Sequence, residues 1–143
     1  MVELAGRDAA APVALADIAG RQQLSLCYLE QLFGSLRRAG LVSSVRGKAG
    51  GYRLGRPAGA ISIAAIIAAV EEPIRATRCH AGEGGCLRGS AGARLVCETH
   101  DLWAELSQQI GFFLAAVSLQ DVAGGRVKGR AIPLAALLAE SAA

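Results

Sequence analysis

The chain has 143 residues and a net charge of +3, a length that suits one globular domain with an appended segment. Apolar residues make up 52% of the chain and charged residues 19%, which argues against disorder and allows a buried core. No secretory leader is visible, and the longest apolar stretch, residues 61–70, has about half the length that a membrane span needs. We therefore expect a cytoplasmic protein without a membrane partner.

The positive charge is concentrated in the first part of the chain. Residues 1–60 carry eight Lys and Arg against four Asp and Glu, a balance of +4, whereas residues 61–143 have a balance of −1. This asymmetry indicates that the N-terminal part binds a polyanion.

Residues 13–45 have the pattern of two helices joined by a tight turn. Leu15 and Ile18 mark the apolar side of the first helix, Ser25 suits the N-cap of the second, and Gly40 suits its end. The second helix has apolar residues at spacings of three and four, which predicts one buried face: Leu26, Leu29, Leu32, Phe33 and Leu36. This arrangement is typical of a helix-turn-helix.

The opposite face of the second helix is predicted to be polar and exposed: Cys27, Tyr28, Gln31, Ser35 and Arg38, with Glu30 and Arg37 at its flanks. A recognition helix offers such side chains to DNA base edges. A helical hairpin with a solvated face has the same pattern, so this face alone leaves both interpretations open.

Residues 41–45 and 52–54 are predicted to form two strands around a glycine-rich turn that contains Arg46 and Lys48. A hairpin directly after a recognition helix is typical of a wing, whose basic tip contacts phosphates or a minor groove. The alternative, a phosphate-binding loop, lacks the Lys-Ser/Thr pair and the helix that follow such a loop.

A glycine-rich segment carries four potential metal ligands with the spacing C-x6-C-x10-C-x2-H: Cys79, Cys86, Cys97 and His100. Thiolates with an imidazole suit an iron–sulfur cluster or zinc. His80 is a competing ligand, but His100 is preferred because it lies three residues after Cys97, on the same side of a helix. A thiol enzyme is disfavoured because the chain has no C-x-x-C motif and no obvious base.

Apolar residues recur at three and four between Leu102 and Val117, which predicts a helix of roughly 30 Å. An ordinary core helix would fit this pattern. We favour a dimerisation helix because two recognition helices must be held apart to read two half-sites.

Residues 25–33, 40–47, 50–52, 76–79 and 99–103 closely resemble the IscR-like iron–sulfur cluster regulators of bacteria. The resemblance implies a mainly α fold with a small β-wing and no enzymatic activity. It implies a homodimer that binds double-stranded DNA at a near-palindromic operator. We expect a winged helix-turn-helix domain (1–75), a cluster-binding loop (76–100), a dimerisation helix (101–120) and a tail of uncertain structure (121–143).

The resemblance also implies a 2Fe–2S cluster on Cys79, Cys86, Cys97 and His100. A structural zinc on the same fold, or a redox- or nitric-oxide-responsive relative with another cluster type, is the alternative. The resemblance assigns DNA contacts to Tyr28, Glu30, Gln31 and Arg46, and a backbone contact to Ser25. Three further residues are candidates for DNA contacts because of their place in the predicted recognition helix or wing turn: Cys27, Arg37 and Lys48.

Three features depart from the family pattern. Cys27 stands where the family commonly has Ser, and the segment between Cys86 and Cys97 is longer than usual. The chain also opens at a point that resembles the middle of the family's first helix. We therefore expect a late start or a truncation that leaves Val2 and Leu4 poorly packed.

Overall fold

The helix-turn-helix, the two wing strands and the long helix near the C-terminus follow one another in the order that the sequence predicts. The computed structural model describes residues 1–6, 11–47, 50–70, 87–88 and 94–127. The helices are α1 (Val2–Ala5), α2 (Leu15–Gln22), α3 (Leu26–Arg38), α4 (Ile63–Ala69), α5 (His100–Ala116) and α6 (Leu119–Ala123), with a 3-10 turn at Ala58–Ala60. The strands are β1 (Val42–Val45), β2 (Gly51–Leu54), β3 (Leu87–Arg88) and β4 (Arg94–Leu95). The predicted mainly helical fold with a small β-wing is therefore confirmed.

The helix-turn-helix is formed by α2 and α3. The turn between them contains Gln23, whose positive φ of 54° ends α2 in the left-handed conformation. The Ser25 hydroxyl then accepts a hydrogen bond from the Tyr28 N–H at 3.5 Å, as an N-cap does at the start of α3. The buried side chains that hold the two helices together are Leu15, Ile18, Leu29, Phe33 and Leu36.

The prediction that Leu26 belongs to the buried face of α3 was wrong. Leu26 is 42% exposed, and it is absent from the side chains that pack against the core. It is the first residue of α3, and its position lies about 60° around the helix from Leu29, at the edge of the buried stripe.

The wing is an antiparallel pair of β1 and β2, in which Val42 faces Leu54 and Val45 faces Gly51. The outer edge of β2 is also paired. The Val13 N–H donates to the Tyr52 carbonyl at 2.9 Å, and the Tyr52 N–H donates to the Val13 carbonyl at 2.8 Å. The chain that leads into α2 is thereby joined to the wing.

The pairing with Val13 requires glycine at position 51. A Cβ placed on Gly51 would lie 2.4 Å from the Val13 carbonyl oxygen, which is well inside van der Waals contact. A Cβ on Gly55 would similarly lie 2.5 Å from the Gly40 carbonyl oxygen. Both ends of β2 therefore approach other backbone more closely than any side chain allows.

The segment around α4 connects the winged domain to α5. Ser62 caps α4 by accepting a hydrogen bond from the Ala65 N–H at 3.1 Å. The preceding Ile61 is fully buried, whereas the residues of α4 itself are half-buried or exposed. The Ile63 N–H donates to the Val117 carbonyl at 2.9 Å, which ties the end of α5 to the start of α4.

The short helix α6 begins at a capping box, which the apolar spacing of this segment does not predict. The Ser118 hydroxyl accepts from the Asp121 N–H at 3.1 Å, and the Asp121 carboxylate accepts from the Ser118 N–H at 3.1 Å. Leu119 is buried in the core, and α6 packs against α1.

Helix α1 is joined to the core on one side and to α2 on the other. Leu4 is buried in the core cluster, contrary to the expectation of poor packing, whereas Val2 is 46% exposed. The Glu3 carboxylate accepts hydrogen bonds from Arg21 at 2.7 Å and from Gln22 at 2.9 Å. The hydrogen bond that Arg21 donates to the Glu3 carboxylate raises the pKa of the Arg21 guanidinium.

Within the described ranges, no helix is long and apolar enough to cross a bilayer.

We predict that Gly51→Ala lowers the free energy of unfolding by roughly 1–3 kcal/mol, because the added methyl group forces β2 away from Val13. Gly20→Ala is the matched control. Gly20 lies within α2, and no atom lies within 4 Å of the place that its added methyl group would take, so alanine there should stabilise by about 0.5–1 kcal/mol. Urea denaturation followed by circular dichroism measures both changes, and equal shifts for the two variants would contradict the close approach.

Candidate functional site

The exposed face of α3 is the first candidate site. Cys27, Tyr28, Glu30, Gln31 and Arg37 are all exposed. Leu29, Phe33 and Leu36 fix the opposite face in the core. The structure thus places these predicted residues on one solvent-facing surface, with Ser25 at its N-terminal end.

Several basic side chains near this face have structural roles. The Arg38 guanidinium donates to the Ser35 hydroxyl at 2.8 Å, one turn back along α3. Arg56 donates to the Ala39 carbonyl at 3.2 Å, at the C-terminal end of α3. Arg53 donates across the wing to the Ser43 hydroxyl at 3.2 Å. These three arginines stabilise the local geometry of α3 and the wing.

Two other arginines remain available for an external partner. Arg37 and Arg46 are exposed, and within the part of the chain that the structure describes neither donates a side-chain hydrogen bond. Arg46 directly follows β1, and the turn after it has Gly47 at a φ of 117°, with the Gly50 N–H donating to the Gly47 carbonyl at 2.9 Å. Lys48, the other predicted tip residue, lies outside the described residues.

The wing and α3 are locked together by an aromatic pair. The rings of Phe33 and Tyr52 meet edge to face, with their centroids 5.0 Å apart. The sequence predicts that Tyr52 lies in a strand, but it does not predict this aromatic pair, because the pair depends on how the wing docks on α3. This contact fixes the position of the wing tip relative to the exposed face of α3.

The second candidate site lies at the start of α5. The His100 N–H donates to the Cys97 carbonyl at 3.0 Å, so the two predicted ligands lie in one turn. The prediction that they share a side of a helix was wrong, because α5 begins at His100 and Cys97 precedes it. The Cys97 side chain is half-buried, and its Sγ lies 3.7 Å from the Thr99 Oγ1. The His100 Nδ1 is buried and has no hydrogen-bond partner among the residues that the structure describes.

A buried imidazole nitrogen without a partner costs about 1–3 kcal/mol unless it binds something. A thiol and an imidazole in one turn are donors that suit a transition metal or an iron–sulfur cluster, so the residues present fit such a group. Cys79, Cys86 and His80 lie outside the described residues. In the described ranges no group of three or more His, Cys, Asp or Glu is close enough to hold a metal. Cys27 is exposed on α3, as interpreted from the sequence.

Residues 1–125 match the model of a protein family, Rrf2, described as an iron-dependent transcriptional regulator. The chain belongs to the Rrf2 family. This Rrf2 protein is 51% identical over 122 residues to the HTH-type transcriptional regulator IscR of Xenorhabdus nematophila, covering 85% of this chain and 71% of that one. It is 49% identical, with the same coverage, to the regulator of the same name from Citrobacter koseri.

Solved structures agree with this assignment. The Rrf2 chain superimposes on CymR (YrzC), the global cysteine regulator of B. subtilis, with a TM-score of 0.66, 35% identity and 86% coverage of both chains. It superimposes on T. potens IscR with a TM-score of 0.65 and 32% identity, covering 95% of this chain and 86% of the other. The resemblance drawn from the sequence is confirmed. The protein is a DNA-binding transcriptional regulator with a winged-helix fold, and its relatives are regulators, not enzymes.

Proposed function

We propose that this regulator senses iron–sulfur status through a 2Fe–2S cluster held by Cys79, Cys86, Cys97 and His100. The observation that carries the proposal is the buried Nδ1 of His100, in the same turn as Cys97, for which the described part of the chain offers no hydrogen-bond partner. The family's description as iron-dependent and the resemblance to IscR-like regulators support an iron centre. Three thiolates and one imidazole also suit zinc, so the metal content separates the two possibilities.

When bound, the cluster supplies a reversible redox centre whose histidine ligand raises its potential relative to an all-cysteine cluster. The protein's part is to connect this centre to the DNA-binding domain. Cys97 and His100 hold the first turn of α5, while Val117 ties its end to Ile63 beside the winged domain. Ligation at the start of α5 would therefore fix the helix at both ends.

We predict that full-length protein purified anaerobically is red-brown, with iron and sulfide in equal amounts. Cys97→Ala should remove the visible charge-transfer bands because a thiolate ligand is lost. Cys27→Ala is the matched control and should keep them, since Cys27 is exposed on α3. Absorption spectra with iron, sulfide and zinc analysis measure the result. One zinc per chain without iron or sulfide would refute the cluster.

For DNA, we propose that α3 enters the major groove and the wing contacts the flanking backbone or minor groove. Tyr28, Glu30 and Gln31 lie on the exposed face near the start of α3, where a recognition helix meets base edges. Arg37 and Arg46 add positive charge, and neither side chain donates a hydrogen bond to another described residue. The proposed DNA-binding set is Ser25, Cys27, Tyr28, Glu30, Gln31, Arg37, Arg46 and Lys48.

We predict that Arg46→Ala weakens binding to an operator duplex selected in vitro with the wild-type protein by about 1–3 kcal/mol, roughly five- to 150-fold. If Arg46 contacts a phosphate, the slope of the logarithm of the binding constant against the logarithm of salt concentration should become shallower by about one unit in Arg46→Ala. Arg126→Ala removes the same charge from the turn after α6, where Arg126 pairs with Asp121, and should leave the DNA affinity unchanged. Fluorescence anisotropy at several salt concentrations makes the comparison. Equal affinity of Arg46→Ala and wild type would exclude the wing tip from the interface.

We further propose that the regulator is a homodimer assembled through α5. Leu102, Leu106 and Phe113 lie within about 40° of one another around this helix. They are exposed by 64%, 41% and 39%, although they are large and apolar. The buried residue of α5, Ala104, lies on the opposite side, so the stripe faces away from the chain's own core. Such a stripe suits a second copy, whose two recognition helices then read two half-sites of a near-palindromic operator.

We predict that Leu106→Glu converts the dimer to a monomer, because burying an unpaired carboxylate in an apolar interface is strongly unfavourable. The operator affinity should fall with it. Gln108→Glu places the same charge on the same helix outside the stripe and should leave a dimer. Sedimentation equilibrium measures both variants, and a monomeric wild type or a dimeric Leu106→Glu would count against this interface.

A further inference from the structure

Thr99 occupies the N-cap position of α5, but its hydroxyl does not cap the helix. A threonine at this position ordinarily accepts a hydrogen bond from a backbone N–H two or three residues further on. Ser25, Ser62 and Ser118 do so at the starts of α3, α4 and α6. At Thr99 the backbone has φ −98° and ψ 15°, outside the extended region that these serines adopt. The hydroxyl is consequently left for another partner.

That partner is the sulfur of Cys97. The Thr99 Oγ1 lies 3.7 Å from the Cys97 Sγ, which is hydrogen-bond distance for sulfur. The backbone of the turn is held separately, by the His100 N–H on the Cys97 carbonyl and the Trp103 N–H on the Thr99 carbonyl at 3.2 Å. The hydroxyl is therefore not needed to form the turn, although it is directed toward one of the proposed ligands.

The direction of this hydrogen bond follows from the chemistry of the ligand. In the free protein either atom can donate, because both a thiol and a hydroxyl carry a proton. A metal-bound cysteine is a thiolate without a proton, so its sulfur can only accept and the Thr99 hydroxyl must donate. A hydrogen bond donated to a ligating sulfur withdraws electron density and favours the reduced form of the centre, which carries more negative charge.

We propose that Thr99 is a positioning residue for the cluster: its hydroxyl donates to the Cys97 thiolate and raises the reduction potential. This inference rests on the proposed cluster function. It assigns to Thr99 a role that acts through Cys97 without ligating the metal. It also explains why the N-cap residue of α5 does not cap its own helix.

The test uses full-length protein with its cluster assembled anaerobically from ferrous iron and sulfide. Thr99→Val keeps the branched shape and removes the hydroxyl, and Thr99→Ser restores it. We expect a more negative midpoint potential and shifted charge-transfer bands for Thr99→Val, with Thr99→Ser close to wild type. Ser107→Ala removes a hydroxyl from the same helix, where it donates to the Trp103 carbonyl, and should not move the potential.

The melting temperature of the cluster-free protein provides a second readout. Because the Thr99 hydroxyl does not cap α5, Thr99→Val should have the same melting temperature as wild type. Loss of a capping hydroxyl would instead lower the melting temperature. Loss of the cluster from Thr99→Val but not from Thr99→Ser also supports the hydrogen bond. Loss of the cluster from both variants would overturn the proposed hydrogen bond, because Thr99→Ser keeps the hydroxyl and the loss would then come from changed packing.

The two proposals fail in distinguishable ways. If wild-type protein assembles no cluster, the sensing function and the role of Thr99 both fall. If wild type and Thr99→Val both hold the cluster at the same potential, the sensing function stands and the role of Thr99 is wrong.

Discussion

The reciprocal pair of hydrogen bonds between Val13 and Tyr52 is the constraint on which the DNA-binding surface depends. It joins the chain before α2 to the wing, so the helix-turn-helix and the hairpin cannot move separately. The same residue, Tyr52, carries the ring that meets Phe33 of α3. An edge-to-face pair contributes about 0.5–1.5 kcal/mol beyond its buried area. Backbone and side chain of one residue thus set the angle between α3 and the wing.

A second junction determines where α5 lies. Ile61 and Ile63 bond to Leu119 and Val117, so the chain after α5 returns to the segment that precedes α4. Ile61, Val117 and Leu119 are all buried, and with them the end of α5 is tied firmly to the winged domain. The turn at the start of α5 contains Cys97 and His100, two residues whose side chains suit a metal centre better than a core.

The local part of this fold could be predicted from the sequence. Spacings of three and four located α3 and α5, Ser25 located the start of α3, and Gly40 has the left-handed φ of 69° expected at a helix end. What failed depends on packing between distant segments. Leu26 fits the helical pattern but lies beyond the core, and Leu4 is buried because α6 packs against α1 from the other end of the chain.

The candidate site was predictable to a similar degree. The polar face of α3 follows from the position of its apolar stripe, and the pairing of Cys97 with His100 follows from their spacing in one turn. The contacts that give these residues their properties did not follow from the sequence. The Phe33–Tyr52 pair depends on how the wing docks on α3. A threonine just before a helix is ordinarily expected to cap it, whereas the Thr99 hydroxyl lies at hydrogen-bond distance from the Cys97 sulfur.

One end of α5 is tied to Ile63, and the turn with Cys97 and His100 lies at the other. The number of residues between these ends therefore sets the direction in which each side chain of α5 points. A helix advances by about 100° per residue, so inserting a single residue between these ends would rotate Leu102 relative to Phe113 and split the apolar stripe. Two inserted residues would turn one half of the stripe toward the chain's own core. An insertion of seven residues, close to two full turns, would nearly preserve both the stripe and the ligand turn. The spacing between the ligand turn and Val117 is therefore as constrained as the identity of the residues it separates.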